Sequence, residues 1–199
     1  MAAVLPTAQG MRFGTRSSAA DGRRRRSRAW RRALAVMAVI VVTFCAVTAR
    51  LFVWPAQGMP ARVSAIVMLA GPGDRLPVAL ELARQHRAPV LVVSRGNQGY
   101  GSPCPSPVPG VKLICFEPDP ATTRGEAEAL GRMARQFRWS SVVLVTTRTQ
   151  DTRARIITER CFGGSTYVVT AALPLSEWPY EITYGWGALF KAVFVVRSC

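Results

Sequence analysis

Residues 141–154 read SVVLVTTRTQDTRA, and no other stretch constrains the fold as tightly. Val142, Val143, Leu144 and Val145 form an apolar, mostly β-branched run with no polar alternation. Such a run suits a strand covered on both faces, as in a parallel sheet flanked by helices. It ends abruptly in Thr146, Thr147, Arg148, Gln150 and Arg153. Polar residues just past the carboxyl end of a strand of this kind stand where open α/β sheets bind ligands.

The same alternation recurs along the chain. Apolar runs at 65–69, 90–93, 111–116, 141–145 and 167–169 read as strands, and patterns at 76–86, 122–137 and 150–162 read as helices. Asp74 stands where an N-cap for the first of these helices belongs. Residues 97–110 (NQGYGSPCPSPVPG) form a Gly/Pro-rich loop. Strands alternating with helices predict an α/β fold with a mostly parallel sheet. The stretch 178–196 is apolar nearly all round and predicts a helix packed on the sheet or lying against a membrane. Gly185, Gly187 and Lys191 interrupt it, which argues against a second span.

The N-terminus has a different character. Before residue 33, nine arginines stand against the single Asp21, giving +8 of the formal +15 and leaving +7 for the rest. Residues 33–49 then carry no charge, and with Leu51, Phe52, Val53 and Trp54 they reach the length a tilted transmembrane helix needs. Arg50 snorkels in this reading, and Trp30 and Trp54 anchor the two interfaces. The arginine-rich flank predicts a cytoplasmic N-terminus and an extracytoplasmic C-terminal domain. A cleaved signal peptide ending near Val47-Thr48-Ala49, a twin-arginine signal at Arg31-Arg32 and a buried helix are the alternatives. Four segments follow: a disordered basic tail (1–32), a single-pass anchor (33–54), a linker (55–62) and an α/β domain (63–199). A basic flank beside a span accounts for the charge without nucleic acid as partner.

Cysteine usage agrees with export. Cys45 lies in the span, and Cys104, Cys115, Cys161 and Cys199 are an even number beyond it. Spacing favours pairs Cys104–Cys115 and Cys161–Cys199, with four free thiols as the alternative. The chain has no CxxC and one histidine, His86, so no metal site is expected.

Arginines recur after successive strands: Arg75, Arg95, Arg124 and Arg148, with Arg153 a turn further on. Guanidinium groups near helix N-termini suit phosphate or carboxylate. In a chain where only Lys112 and Lys191 of 26 basic residues are lysine, composition alone is the competing explanation. Thr123 and Glu126 stand three apart at a helix start, the spacing of a capping box, and Glu126 is the one carboxylate placed for proton transfer. Gly71-Pro72-Gly73 lacks GxGxxG spacing and reads either as a plain turn or as a close backbone approach to a ligand. No nucleophile–base pair and no GxSxG are present, and no cofactor is indicated.

Taken together, AIVMLAGPGDRLPVAL, VLVVSRG, CFEPDPATTRGEAEAL, VVLVTTRTQDTRARIITERCF and the terminal RSC resemble the YdcF-like envelope proteins (SanA/ElyC type) in an actinobacterial style, over residues 63–199. The resemblance implies a Rossmann-like three-layer α/β sandwich behind an N-terminal span, associated with envelope integrity and with cell-wall precursor or lipid-carrier metabolism. It places the family's glycine-rich turn and arginine on Gly71, Gly73 and Arg75, and its second-strand serine and glycine on Ser94 and Gly96. The threonine–glutamate helix start falls on Thr123 and Glu126, and the VTS-x-x-H-x-x-RA segment on Val145, Thr146, Thr147, Gln150, Arg153 and Ala154. Gln150 stands where the family has histidine and cannot shuttle a proton near neutral pH. The expected function is a membrane-anchored cell-envelope protein binding a phosphorylated small molecule or lipid-linked precursor at these residues. The alternative is a non-catalytic assembly module.

Overall fold

Strand β1 (Ala65–Met68) is buried along its whole length and forms the centre of a five-stranded, all-parallel sheet. We describe residues 17–96 and 104–199 of a computed structural model of the chain. The strand order is β3-β2-β1-β4-β5, with β2 at Val90–Ser94, β3 at Lys112–Phe116, β4 at Ser141–Thr147 and β5 at Ser165–Ala171. Val67 pairs with Val92 on one side and with Leu144 on the other. Since the chain moves outward from β1 to β3 and then returns to place β4 against β1, the order reverses between β1 and β4. That reversal opens a crevice beyond the strand ends.

Alternate side chains of the strands feed two cores. Ile66, Met68, Leu91, Val93, Val143 and Val145 pack on one face with Ala79 and Ala83 of α2 (Arg75–Arg84). Ala65, Val67, Val92, Val142 and Leu144 pack on the other with Leu130 and Ala134 of α3 (Thr123–Phe137) and Ala154 of α4 (Arg148–Cys161). Burial on both faces explains the unbroken apolar runs, each Val or Leu contributing about 1.5–3 kcal/mol. The fold is thus a Rossmann-like α/β sandwich. Helix α5 (Trp178–Phe190) follows β5 and runs into a π-helical turn, Lys191–Val195.

The chain divides into two compact units, Met1–Ala46 and Val47–Cys199. Helix α1 spans Ser17–Thr48 and continues as a π-helical turn, Ala49–Val53. The segment Trp30–Val53, 24 residues with mean hydropathy 2.4, is long and apolar enough to cross a membrane. The helix begins at Ser17, so the second half of the expected disordered tail is helical instead. Arginine and alanine are good helix formers, and the tail continues into the apolar helix without a break. Residues 1–16 lie outside the described residues, as do 97–103 of the Gly/Pro loop.

Both favoured cysteine pairs stand at disulfide distance. Cys104 and Cys115 have Cα atoms 6.0 Å apart, and Cys161 and Cys199 have theirs 5.0 Å apart. The first closes the segment between β2 and β3, and the second ties the C-terminus to the end of α4. The linker is pinned rather than free: Gly58 N–H donates to Val168 O at 3.3 Å, and Arg155 Nη2 to Ala56 O at 2.8 Å.

Candidate functional site

Four ionisable side chains from four helices are linked electrostatically beyond the ends of the central strands: Glu126, Glu181 and Arg153 all act on Arg75. Arg75 opens α2 but folds back over the Gly71-Pro72-Gly73 turn. Its Nε donates to Pro72 O at 2.9 Å, and its Nη1 donates to Leu69 O at 2.9 Å and Ala70 O at 2.7 Å. Nη2 is buried and has no partner. This geometry explains both glycines of the turn. Gly71 has φ +134, and a Cβ there would lie 2.7 Å from Arg75 Nη2. Gly73 has φ +89, and a Cβ there would lie 2.6 Å from Thr147 Cγ2 and 2.8 Å from Ala172 O. The glycines let backbone, Arg75 and Thr147 close up together.

Glu126 sits in the first turn of α3 and is buried. Its Oε1 accepts from Ala70 N–H at 2.7 Å, so the carboxylate bridges α3 to the end of β1. The expected capping box is therefore absent. Thr122 is the N-cap, its Oγ1 accepting from Gly125 N–H at 3.3 Å, and Glu126 turns inward instead of back to the cap. The Ala70 N–H at the end of β1 takes the place of the cap N–H as its partner. Burial pushes the Glu126 carboxyl up, against the opposing pull of Ser94, Ala70 N–H, Arg75 and Arg153. Burial likewise brings Arg75 down to about 10, with Glu126 and Glu181 working the other way and Arg153 adding to the fall. Arg75 and Arg153 thus both act electrostatically on the buried Glu126 carboxyl.

Arg153, in the second turn of α4, stacks over the Tyr184 ring of α5, its guanidinium carbon 5.4 Å from the ring centre. Its Nε is buried without a partner. Thr146 and Thr147 are fully buried at the end of β4. Thr147 Oγ1 lies 3.2 Å from Thr149 Oγ1, and Thr146 Oγ1 has no partner. Ser94, the last residue of β2, is buried beside Glu126, and Gly96 passes close to Ala70. Gln150 is buried in the first turn of α4. Thr123 opens α3 as a half-buried residue without the capping role.

Other residues fall elsewhere. Arg95 pairs with Glu117, and Arg124 Nε donates to Glu128 Oε1 at 2.7 Å, so neither joins the cluster. Arg148 is exposed and donates from Nη1 to Val53 O at 3.4 Å. With Thr149, Thr170, Leu173 and Trp178 it lines a separate cavity of about 350 Å³ beyond β5. Asp74 makes no capping hydrogen bond, because the Arg75 side chain and the glycine turn dictate the entry to α2. His86 is exposed.

Two acidic residues were not anticipated. Glu181 in α5 is buried with Oε2 unpartnered and acts electrostatically on Arg75. Its signal in the sequence is spacing: Glu181, Gly185 and Leu189 recur every four residues on the buried face of an otherwise apolar helix. Asp151 is buried in the first turn of α4. Its Oδ1 accepts from Arg155 Nη2 at 3.3 Å, Oδ2 is unpartnered, and burial pushes it up to about 6 despite Arg155 and Arg50. Among the described residues no group of His, Cys, Asp and Glu is arranged to hold a metal ion.

The cluster can hold an anion. Arg153 Nε, Arg75 Nη2 and Thr146 Oγ1 are buried donors without acceptors, and a buried donor left so costs about 1–3 kcal/mol. Comparison with protein-family models, characterised proteins and solved structures gives no match.

Proposed function

We propose that this chain is a single-pass, membrane-anchored envelope protein of the YdcF-like type. In this reading its extracytoplasmic domain binds a phosphorylated small molecule or a lipid-linked cell-wall precursor at the β1/β4 crevice. The observation that carries the proposal is that Arg75 and Arg153, on the helices that follow β1 and β4 where strand order reverses, each keep a buried guanidinium nitrogen without an acceptor. Arg153 supplies the main charge, since Arg75 has already committed Nε and Nη1 to backbone carbonyls. Thr146, Thr147 and Gln150 orient the ligand, with Ser94 and Thr123 at the far wall. Glu126, its carboxyl raised by burial, is the group we assign to carry a proton if the bound ligand is processed. The two cysteine pairs at disulfide distance support an oxidising compartment for the domain.

A second reading, a non-catalytic assembly module, is favoured by the internal balance of the cluster, where two carboxylates face two arginines. A thermal-shift screen of the full chain in detergent separates the two. Pyrophosphate, sugar phosphates and prenyl phosphates are the probes. The binding reading expects stabilisation by at least one of them and its loss in Arg153→Ala. No response to any of them overturns it.

A further inference from the structure

The outward face of α5 and of the Lys191–Val195 turn is apolar and aromatic. Tyr180, Tyr184, Phe190, Phe194 and Val195 are 50–68% exposed and recur at helical spacing. The opposite face, with Glu181, Gly185, Leu189 and Ala192, is buried. The exposed rings form two neighbouring pairs, Tyr180–Tyr184 with centroids 6.2 Å apart and Phe190–Phe194 with centroids 4.8 Å apart. Exposed aromatic pairs of this kind on a domain surface, here flanking the exposed Lys191, mark an interaction site.

The end of the membrane-length segment identifies what meets this stripe. Within the Val47–Cys199 unit, the Phe52 ring meets Trp186 edge-on at 5.4 Å, and Trp186 Nε1 donates to Thr48 Oγ1 at 3.3 Å. Gly185 leaves room for this packing, since a Cβ there would lie 2.7 Å from the Phe52 ring. Thr48 precedes the end of the Trp30–Val53 segment by five residues, roughly 7 Å of helical rise. Helix α5 therefore lies beside the last turns of that segment and not beyond them. Exposed tyrosine and phenylalanine on a helix packed there suit the headgroup boundary of a bilayer, and exposed Lys191 and Arg197 suit anionic headgroups.

We infer that the outward stripe of α5 and its π-helical turn seats in the interfacial layer of the membrane. The inference rests on the reading of Trp30–Val53 as a span. Tyr184 belongs both to the stripe and to the Arg153 stacking pair, so the seated helix holds the crevice next to the lipid headgroups.

The test is nitroxide scanning of the full chain, with Cys45→Ser as background, in phosphatidylcholine/phosphatidylglycerol vesicles. Labels go on Phe194→Cys and, as a second stripe position, Lys191→Cys, with His86→Cys as an exposed control. Mass spectrometry confirms that both disulfides are intact in each protein. At the stripe, the ratio of oxygen access to aqueous nickel-chelate access is expected to exceed that at position 86 by about fivefold. A ratio equal to the control places the stripe in water and overturns the inference. Protection from both reagents also overturns it and makes the stripe a protein–protein contact.

Discussion

The two sides of the sheet treat their strand-end arginines in opposite ways. On the β2/β3 side, Arg95 and Arg124 pair with Glu117 and Glu128 at partly exposed positions. On the β1/β4 side, Arg75 and Arg153 both act on the buried Glu126, Arg75 also feels the buried Glu181, and each arginine keeps a buried donor without an acceptor. All four follow the same sequence pattern, an arginine close after a strand. Topology separates them: Arg75 and Arg153 follow β1 and β4, the two strands between which the order reverses. A charge at the other strand ends is solvated and contributes little.

The contrast can be broken first at Arg75. Arg75→Ala removes three hydrogen bonds to carbonyls and leaves the buried Glu126 and Glu181 without that cation. It is expected to destabilise the domain by about 3–5 kcal/mol in denaturant unfolding. A loss below about 1 kcal/mol would equate this arginine with an exposed one.

Gly73→Ala comes next. The added methyl would meet Thr147 and the Ala172 carbonyl at a φ that side chains disfavour. About 1–3 kcal/mol of stability should disappear, together with any anion response, because Thr147 must shift.

The pH dependence is smaller and has a defined sign. The Asp151 carboxyl rises from 3.8 to about 6 on folding, so the folded state holds its proton more tightly. Its stabilising contribution is complete below pH 3.8, fades as pH rises through about 6, and is flat above that. Glu126 acts in the same direction. Measured as melting temperature against pH from 4 to 7, wild type should lose stability relative to Asp151→Asn over that interval. Parallel curves would contradict the burial of Asp151.

The smallest effect belongs to Arg95→Ala. Its ion pair with Glu117 is exposed, so the change should stay within about 0.5 kcal/mol and leave ligand binding alone.

Much of the sheet was legible because burial on both faces writes itself as unbroken apolar runs. Strand β4 extends two residues beyond its apolar run, through Thr146 and Thr147, and β5 extends to Ser165 and Ala171 on both sides of its expected core. All seven residues of each pair with the other, and that tertiary pairing overrides their polarity. The helix starts were less legible. Asp74 and Thr123 have capping chemistry, but the backbone enters α2 and α3 at angles set by Arg75 and by Thr122. Arg75, Glu126, Thr146, Thr147 and Arg153 could all be read from their places after apolar runs. Glu181 closes it from a helix after the last strand, and no local pattern links that helix to β1.

The most direct test of the central claim is calorimetric titration of pyrophosphate into the full chain and into Arg153→Ala and Arg95→Ala. The account predicts binding to wild type, a Kd at least tenfold weaker (about 1.4 kcal/mol) for Arg153→Ala, and an unchanged Kd for Arg95→Ala. Absence of binding to wild type, or equal losses in the two variants, would contradict an anion crevice between β1 and β4.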